Sequence, residues 1–146
     1  RLVSNASGWD DRNCGDILDM HRYPGPGSPK PEPTRAAVLG EFGGLGLAIP
    51  GHLWTEKSWG YKGAASQKDL TRDYVNLWRK AWQLKDDPGL SAAVYTQWTD
   101  VETECNGLLT YDRAIVKVDA KQAADAHHGR FDAPVDGKTS LKARSK

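Results

Sequence analysis

Glu41 closes the apolar run Ala36-Ala37-Val38-Leu39-Gly40 and is followed by Phe42-Gly43-Gly44-Leu45-Gly46. A carboxylate at the carboxyl end of a buried parallel strand stands where barrel and open-sheet enzymes hold their catalytic groups. The glycines beside it let backbone and ligand approach closely. The same spacing also fits a strand-end Glu in a salt bridge or facing solvent. His21, Arg22 and Tyr23 hold the equivalent place after the run Asp16–Met20. A tyrosine hydroxyl there donates to a neighbouring carboxylate and holds it ionised. Read blandly, it is a polar strand end entering a Pro-Gly turn.

Six tryptophans are many for 146 residues, and their placement separates two uses. Trp78 and Trp82, four apart, read as packing residues of one helix. Trp9, Trp54 and Trp59 fall in glycine-rich connections, and Trp98 ends the run Ala92–Trp98. Singly, each loop tryptophan fits a satellite packing cluster. Together at strand ends they form flat platforms of the kind on which the C–H faces of sugars stack.

Other clusters carry less. Gly44-Leu45-Gly46 lacks the third small residue of a dinucleotide fingerprint, and Pro50-Gly51 interrupts the chain before a helix can present its amides. His127-His128 has no Cys or carboxylate at ligand spacing and is weak as a metal site; no metal site is assigned, and no cofactor is expected. Asp100, Glu102 and Glu104 alternate, which gathers carboxylates on one face of an extended segment or belongs to a solvated loop.

The elements that position these residues are short. Leu2–Asn5, Asp16–Met20, Ala36–Gly40 and Ala92–Trp98 read as buried parallel strands, because they are near-continuous apolar runs. Five of the eight prolines lie between Pro24 and Pro33, which makes that connection a stiff loop. One helix is predicted from Gln67 to about Leu84. Ser66 and Asp69 form its capping box, and Leu70, Tyr74, Leu77, Trp78 and Ala81 form its apolar stripe. Pro88-Gly89 stops it, and a strand follows, so the pattern is a βαβ crossover in an α/β fold.

Charge and composition exclude several classes. Net charge is +1, which gives no field favouring nucleic acid or an anionic membrane. No apolar run approaches the roughly 20 residues of a membrane span. Cys14 and Cys105 are too few for a disulfide scaffold. Residues 119–146 hold little apolar surface and are expected to be a polar, mobile tail, with residues 1–118 as the folded part. A start at Arg1 in place of Met suggests processing or a piece of something longer.

Three segments in order then carry a resemblance. They are Asp19-Met20-His21-Arg22-Tyr23-Pro24-Gly25-Pro26, Leu39-Gly40-Glu41-Phe42-Gly43-Gly44-Leu45-Gly46, and Tyr95-Thr96-Gln97-Trp98-Thr99-Asp100-Val101-Glu102 continuing through Asn106-Gly107-Leu108-Leu109-Thr110-Tyr111-Asp112-Arg113. The sequence resembles the catalytic domain of glycoside hydrolase family 2, the β-galactosidase and β-glucuronidase group, over roughly Arg1 to Val118. The resemblance implies part of a (β/α)₈ TIM barrel, strands five to eight, that cleaves β-linked sugars with retention. It implies Glu41 as nucleophile at the end of strand seven. His21, Tyr23, Trp98, Asn5 and, in a variable loop, Trp54 become substrate-binding residues.

No Asn-Glu pair occurs in the chain, and the family's acid/base Glu follows an Asn at the end of strand four. A retaining mechanism needs two carboxyl groups about 5–5.5 Å apart. The expectation is therefore the C-terminal half of a β-galactosidase-like barrel, inactive alone and partnered by the N-terminal half. Its substrate is a β-linked oligosaccharide or glycoside. Two alternatives are a non-catalytic carbohydrate-binding remnant and a fragment with no independent function. The sequence assigns no localisation.

Overall fold

The computed structural model describes residues 1–5 and 8–131. Its elements are β1 (Ile17–Arg22), β2 (Ala36–Gly43), β3 (Leu45–Gly46), β4 (Lys62–Gly63), α1 (Gln67–Asp86), β5 (Ala92–Thr96) and α2 (Ala120–His127). Strands β1, β2 and β5 form a parallel sheet in that order, and β3 pairs with β4 in a second, two-stranded parallel ladder. The chain is α/β among the described residues.

Helix α1 begins where the capping box places it. Ser66 Oγ accepts the Asp69 amide at 3.1 Å and donates to Asp69 Oδ2 at 2.7 Å. Its stripe of Leu70, Tyr74, Leu77 and Ala81 is buried. At the other end the amides of Gly89 and Leu90 both donate to Leu84 O, closing the helix at Pro88-Gly89. The stripe packs against Leu39, Phe42 and Leu45 on the strands and Leu90 and Leu108 beyond them. Each fully buried side chain of this size contributes roughly 1.5–3 kcal/mol.

Strand β2 departs from simple alternation in a way that matters for the site. Ala37 and Leu39 face the core, then Gly40 and Glu41 are both only half-buried, then Phe42 is fully buried. The pairing with β1 skips at the same point: Met20 pairs with Leu39, but His21 pairs with Glu41. This bulge at Gly40 turns Glu41 away from α1 and returns Phe42 to the core.

Two expectations are corrected. Leu2–Asn5 is not a strand, and Leu2 and Val3 are exposed. The segment lies at the sheet edge, where Val3 O accepts the Asp16 amide and Gly8 O accepts the His21 amide. Val3 and Gly8 therefore lie beside β1 in parallel order, without a continuous ladder. The tail expected from residue 119 instead begins as a helix. Asp119 caps α2 by accepting the Gln122 amide at 2.8 Å. Ala123 and Ala126 are buried, and Trp82 Nε1 donates to Ala126 O at 3.0 Å. Small alanines suffice for this docking, so the scarcity of large apolar residues did not prevent it. The remainder of the expected tail, 132–146, lies outside the described residues.

No described helix is long and apolar enough to cross a membrane.

Candidate functional site

Side chains alternate along a strand, so Asp19, His21 and, just past β1, Tyr23 emerge on one side. The bulge on β2 sets Glu41 beside them. Tyr23 OH donates to Glu41 Oε2 at 2.6 Å. His21 Nε2 lies 3.2 Å from Asp19 Oδ2, and its Nδ1 lies 3.3 Å from Glu41 Oε2. At the second distance Nδ1 is close to the carboxylate but out of line for a hydrogen bond, and it has no hydrogen-bond partner. Asp19 Oδ1 accepts the Gly40 amide at 2.9 Å. Burial is graded across the group: the side chains of Asp19, His21 and Glu41 are 7%, 13% and 42% exposed. The carboxylate at the open end is Glu41.

Glycines make this arrangement possible by what they lack. A Cβ on Gly40 would fall 2.2 Å from Asp19 Oδ1, and one on Gly8 would fall inside the His21 ring. Gly44, at φ +61°, leaves room for the rings of Tyr61 and Tyr23, which a Cβ would approach to 2.5 and 2.9 Å. Those rings stack face to face, with centroids 3.8 Å apart and planes within 5°. The β3–β4 ladder supplies Tyr61, which directly precedes β4.

Trp9 stacks on Tyr23 at 6.2 Å, and Trp59 meets Tyr61 edge-on at 5.4 Å. Trp9, Trp59 and Tyr61 are 70%, 44% and 48% exposed, so aromatic surface flanks the open carboxylate. Burial pushes the Tyr23 phenol strongly up, and its bond to Glu41 pushes it further. It therefore stays a donor across the physiological range and beyond.

The loop after β5 is held from beneath. Lys117 is fully buried and donates to Asp100 Oδ1 at 2.6 Å, Cys105 O at 2.9 Å and Leu47 O at 3.0 Å. The Gly107 amide shares Asp100 Oδ1, while Oδ2 is buried without a partner. Gln97 Nε2 donates to Glu104 and Asn106. The alternating acids therefore do not form one cluster. Asp100 is buried on Lys117, and Glu104 joins an amide network. Among the described residues no group of three or more His, Cys, Asp or Glu is arranged to hold a metal ion.

Of the six expected site residues, the structure brings together Glu41, His21 and Tyr23. Trp98 sits past the end of β5 with its ring 70% exposed, its carbonyl accepting the amides of Leu108 and Leu109. Trp54 packs on Tyr111 at 5.0 Å, next to an open cavity of about 450 Å³ lined by Asp100, Glu102, Tyr111, Asp112 and Arg113. His52 closes that neighbourhood with a hydrogen bond from Nδ1 to Asp112 Oδ2 at 2.7 Å. The Thr110 hydroxyl, the Ala114 amide and His52 together hold the Asp112 carboxyl at about 2. Asn5 is partly buried, and its Nδ2 donates to Cys14 Sγ at 3.2 Å.

Sequence reasoning missed Asp19 and Tyr61 as members of the site. Asp19 was legible in the spacing Asp19-x-His21-x-Tyr23. Tyr61 lies twenty residues past Glu41 in a loop, where spacing says nothing. No protein-family model matches the chain, and no curated protein matches it.

Proposed function

We propose that Glu41 is the nucleophile of a retaining β-glycosidase of the family 2 kind. In this reading strands β1, β2 and β5 are three successive staves of a (β/α)₈ barrel, the sixth to the eighth, and Val3 lies beside β1 where the fifth would run. The observation that carries it is the Glu41 carboxylate, half-open at the carboxyl end of a parallel strand and anchored through one oxygen by Tyr23. Two features support the barrel assignment: β1, β2 and β5 pair in parallel, and their order across the sheet is their order in the chain.

The chemistry follows from the geometry. With Oε2 held by Tyr23, Oε1 is the oxygen left to attack an anomeric carbon. A glycosyl ester forms there as the bond to the leaving oxygen breaks. Departure of an ordinary alkoxide requires a proton from a second carboxyl group, and water then needs that group as its base. The Asn-Glu pair that the resemblance requires for this role would lie on strand four. The substrate class is a β-linked glycoside, β-galactoside-like. The exposed rings of Trp9, Tyr61 and Trp59 favour a second reading, in which the same surface binds a sugar without cleaving it.

The two readings differ in one experiment that does not need the acid/base. A fluorosugar β-glycoside with a dinitrophenolate leaving group departs without protonation, and its fluorine slows hydrolysis of the ester. A nucleophilic Glu41 gains one glycosyl group by intact-protein mass spectrometry. Saturable binding with no mass gain supports the binding reading and rejects the nucleophile.

A further inference from the structure

We propose that Asp19 is a positioning residue for Glu41, acting through the tautomer of His21. The proposal rests on the reading of Glu41 as a nucleophile and adds to it a residue two side chains removed. An ionised carboxylate only accepts hydrogen bonds, so the aligned contact between Asp19 Oδ2 and His21 Nε2 at 3.2 Å is an Nε2–H donating to Asp19. In the neutral ring the other nitrogen then carries no proton. Nδ1 faces Glu41 Oε2 at 3.3 Å, buried and without a hydrogen-bond partner, which agrees with that tautomer. Glu41 consequently accepts from Tyr23 and not from His21.

The consequence is chemical. Tyr23 alone orients Glu41 through Oε2. A proton on Nδ1, 3.3 Å from Oε2, would set a second N–H dipole against that carboxylate even without an aligned hydrogen bond, and would stabilise charge that the attack must disperse into a covalent ester. Asp19 prevents this by claiming the imidazole proton for the far side of the ring. Three observations suit a built device more than a chance contact. Asp19 is almost fully buried, its other oxygen takes the Gly40 amide, and the absence of a side chain at the Gly40 bulge is what admits its carboxylate. The groups facing His21 are Asp19 from its own strand and Glu41 from β2, with Gly8 and the edge of Trp9 covering the ring from the terminal segment.

Nitrogen NMR of the imidazole in the full chain tests the tautomer without any variant. The neutral His21 ring should carry its proton on Nε2, and a proton on Nδ1 overturns the proposal. In Asp19→Asn the amide oxygen can keep the Gly40 bond while its NH₂ faces Nε2 as a donor. The proton should move to Nδ1, and labelling of Glu41 by the fluorosugar should slow up to about tenfold, the lower end of what an N–H facing a charged group contributes. A moved proton with an unchanged labelling rate overturns the proposal, as does an unmoved proton. If the wild-type chain takes no label although the tautomer behaves as stated, the nucleophile reading fails and the Asp19–His21 pairing stands. Loss of structure in the variant leaves the wild-type nitrogen spectrum as the deciding result.

Discussion

The Tyr23 hydroxyl reaches Oε2 of Glu41 over 2.6 Å, and the two groups meet because β2 bulges at Gly40. Without the bulge, alternation would point Glu41 into α1 and Phe42 into the open face. One extra residue thus places a carboxylate at the mouth of the sheet and a phenylalanine in the core. The bulge is also filled, since the Gly40 amide is satisfied by Asp19. Site and fold share a single irregularity.

Tyr23→Phe removes the donor while keeping the ring stacked on Tyr61. Stability should change by about 1 kcal/mol or less, because one hydrogen bond is lost at a half-open site. The labelling rate of Glu41 should fall about tenfold as the carboxylate loses its orientation. Denaturant midpoints and mass-spectrometric rates check the two halves. An unaltered rate would mean that Tyr23 does not orient Glu41.

Lys117→Met should destabilise the chain by about 3–5 kcal/mol, since it strands the buried Asp100 carboxylate. The Gly107 amide stays on Asp100 Oδ1, but one neutral donor does not replace the ammonium charge, and Oδ2 has no partner. Adding Asp100→Leu to Lys117→Met should recover a large part of that loss. Equal urea midpoints for the single and double variants would contradict a buried pair that matters through its charge.

Alkaline pH should unfold the protein through its buried phenols. Burial pushes Tyr74 up to about 12, and burial pushes Tyr95 higher still. Unfolded tyrosines titrate near pH 10. Above that value the unfolded chain releases protons that the native state retains, so stability is full below about pH 10 and falls as pH rises. For each such phenol the slope is about half of 1.4 kcal/mol per pH unit at about pH 10 and approaches that full value about one unit higher. Unfolding free energies measured between about pH 9 and 11 should show it. Combining Tyr74→Phe with Tyr95→Phe should reduce the slope and leave the share due to Tyr23, and a slope unchanged in that variant would contradict the assignment.

Legibility in the sequence tracked the strength of the local signal. Helix α1 was readable from Ser66 to Pro88 because its cap, stripe and stop are all local. It runs to Asp86, two residues past the predicted end. Strand β2 starts at Ala36 as predicted, but it continues to Gly43, because the bulge lets pairing resume past Gly40. Strand β5 ends at Thr96, short of Trp98, where the backbone turns to accept the amides of Leu108 and Leu109. Leu2–Asn5 misled because an apolar run at a sheet edge looks like one inside it. Helix α2 was missed because it buries only Ala123 and Ala126. Within the site, His21, Tyr23 and Glu41 were readable from strand ends. Trp54 was assigned to the same place, but a long loop carries it to Tyr111.

The central claim is that Glu41 attacks an anomeric carbon. Its most direct test is the location of the adduct after reaction with the activated fluorosugar, read by fragmenting the peptide that contains Ala36–Gly43. The account predicts one glycosyl group esterified to Glu41, and no label in Glu41→Ala. An adduct on any other carboxylate, or none on the wild-type chain, would contradict it.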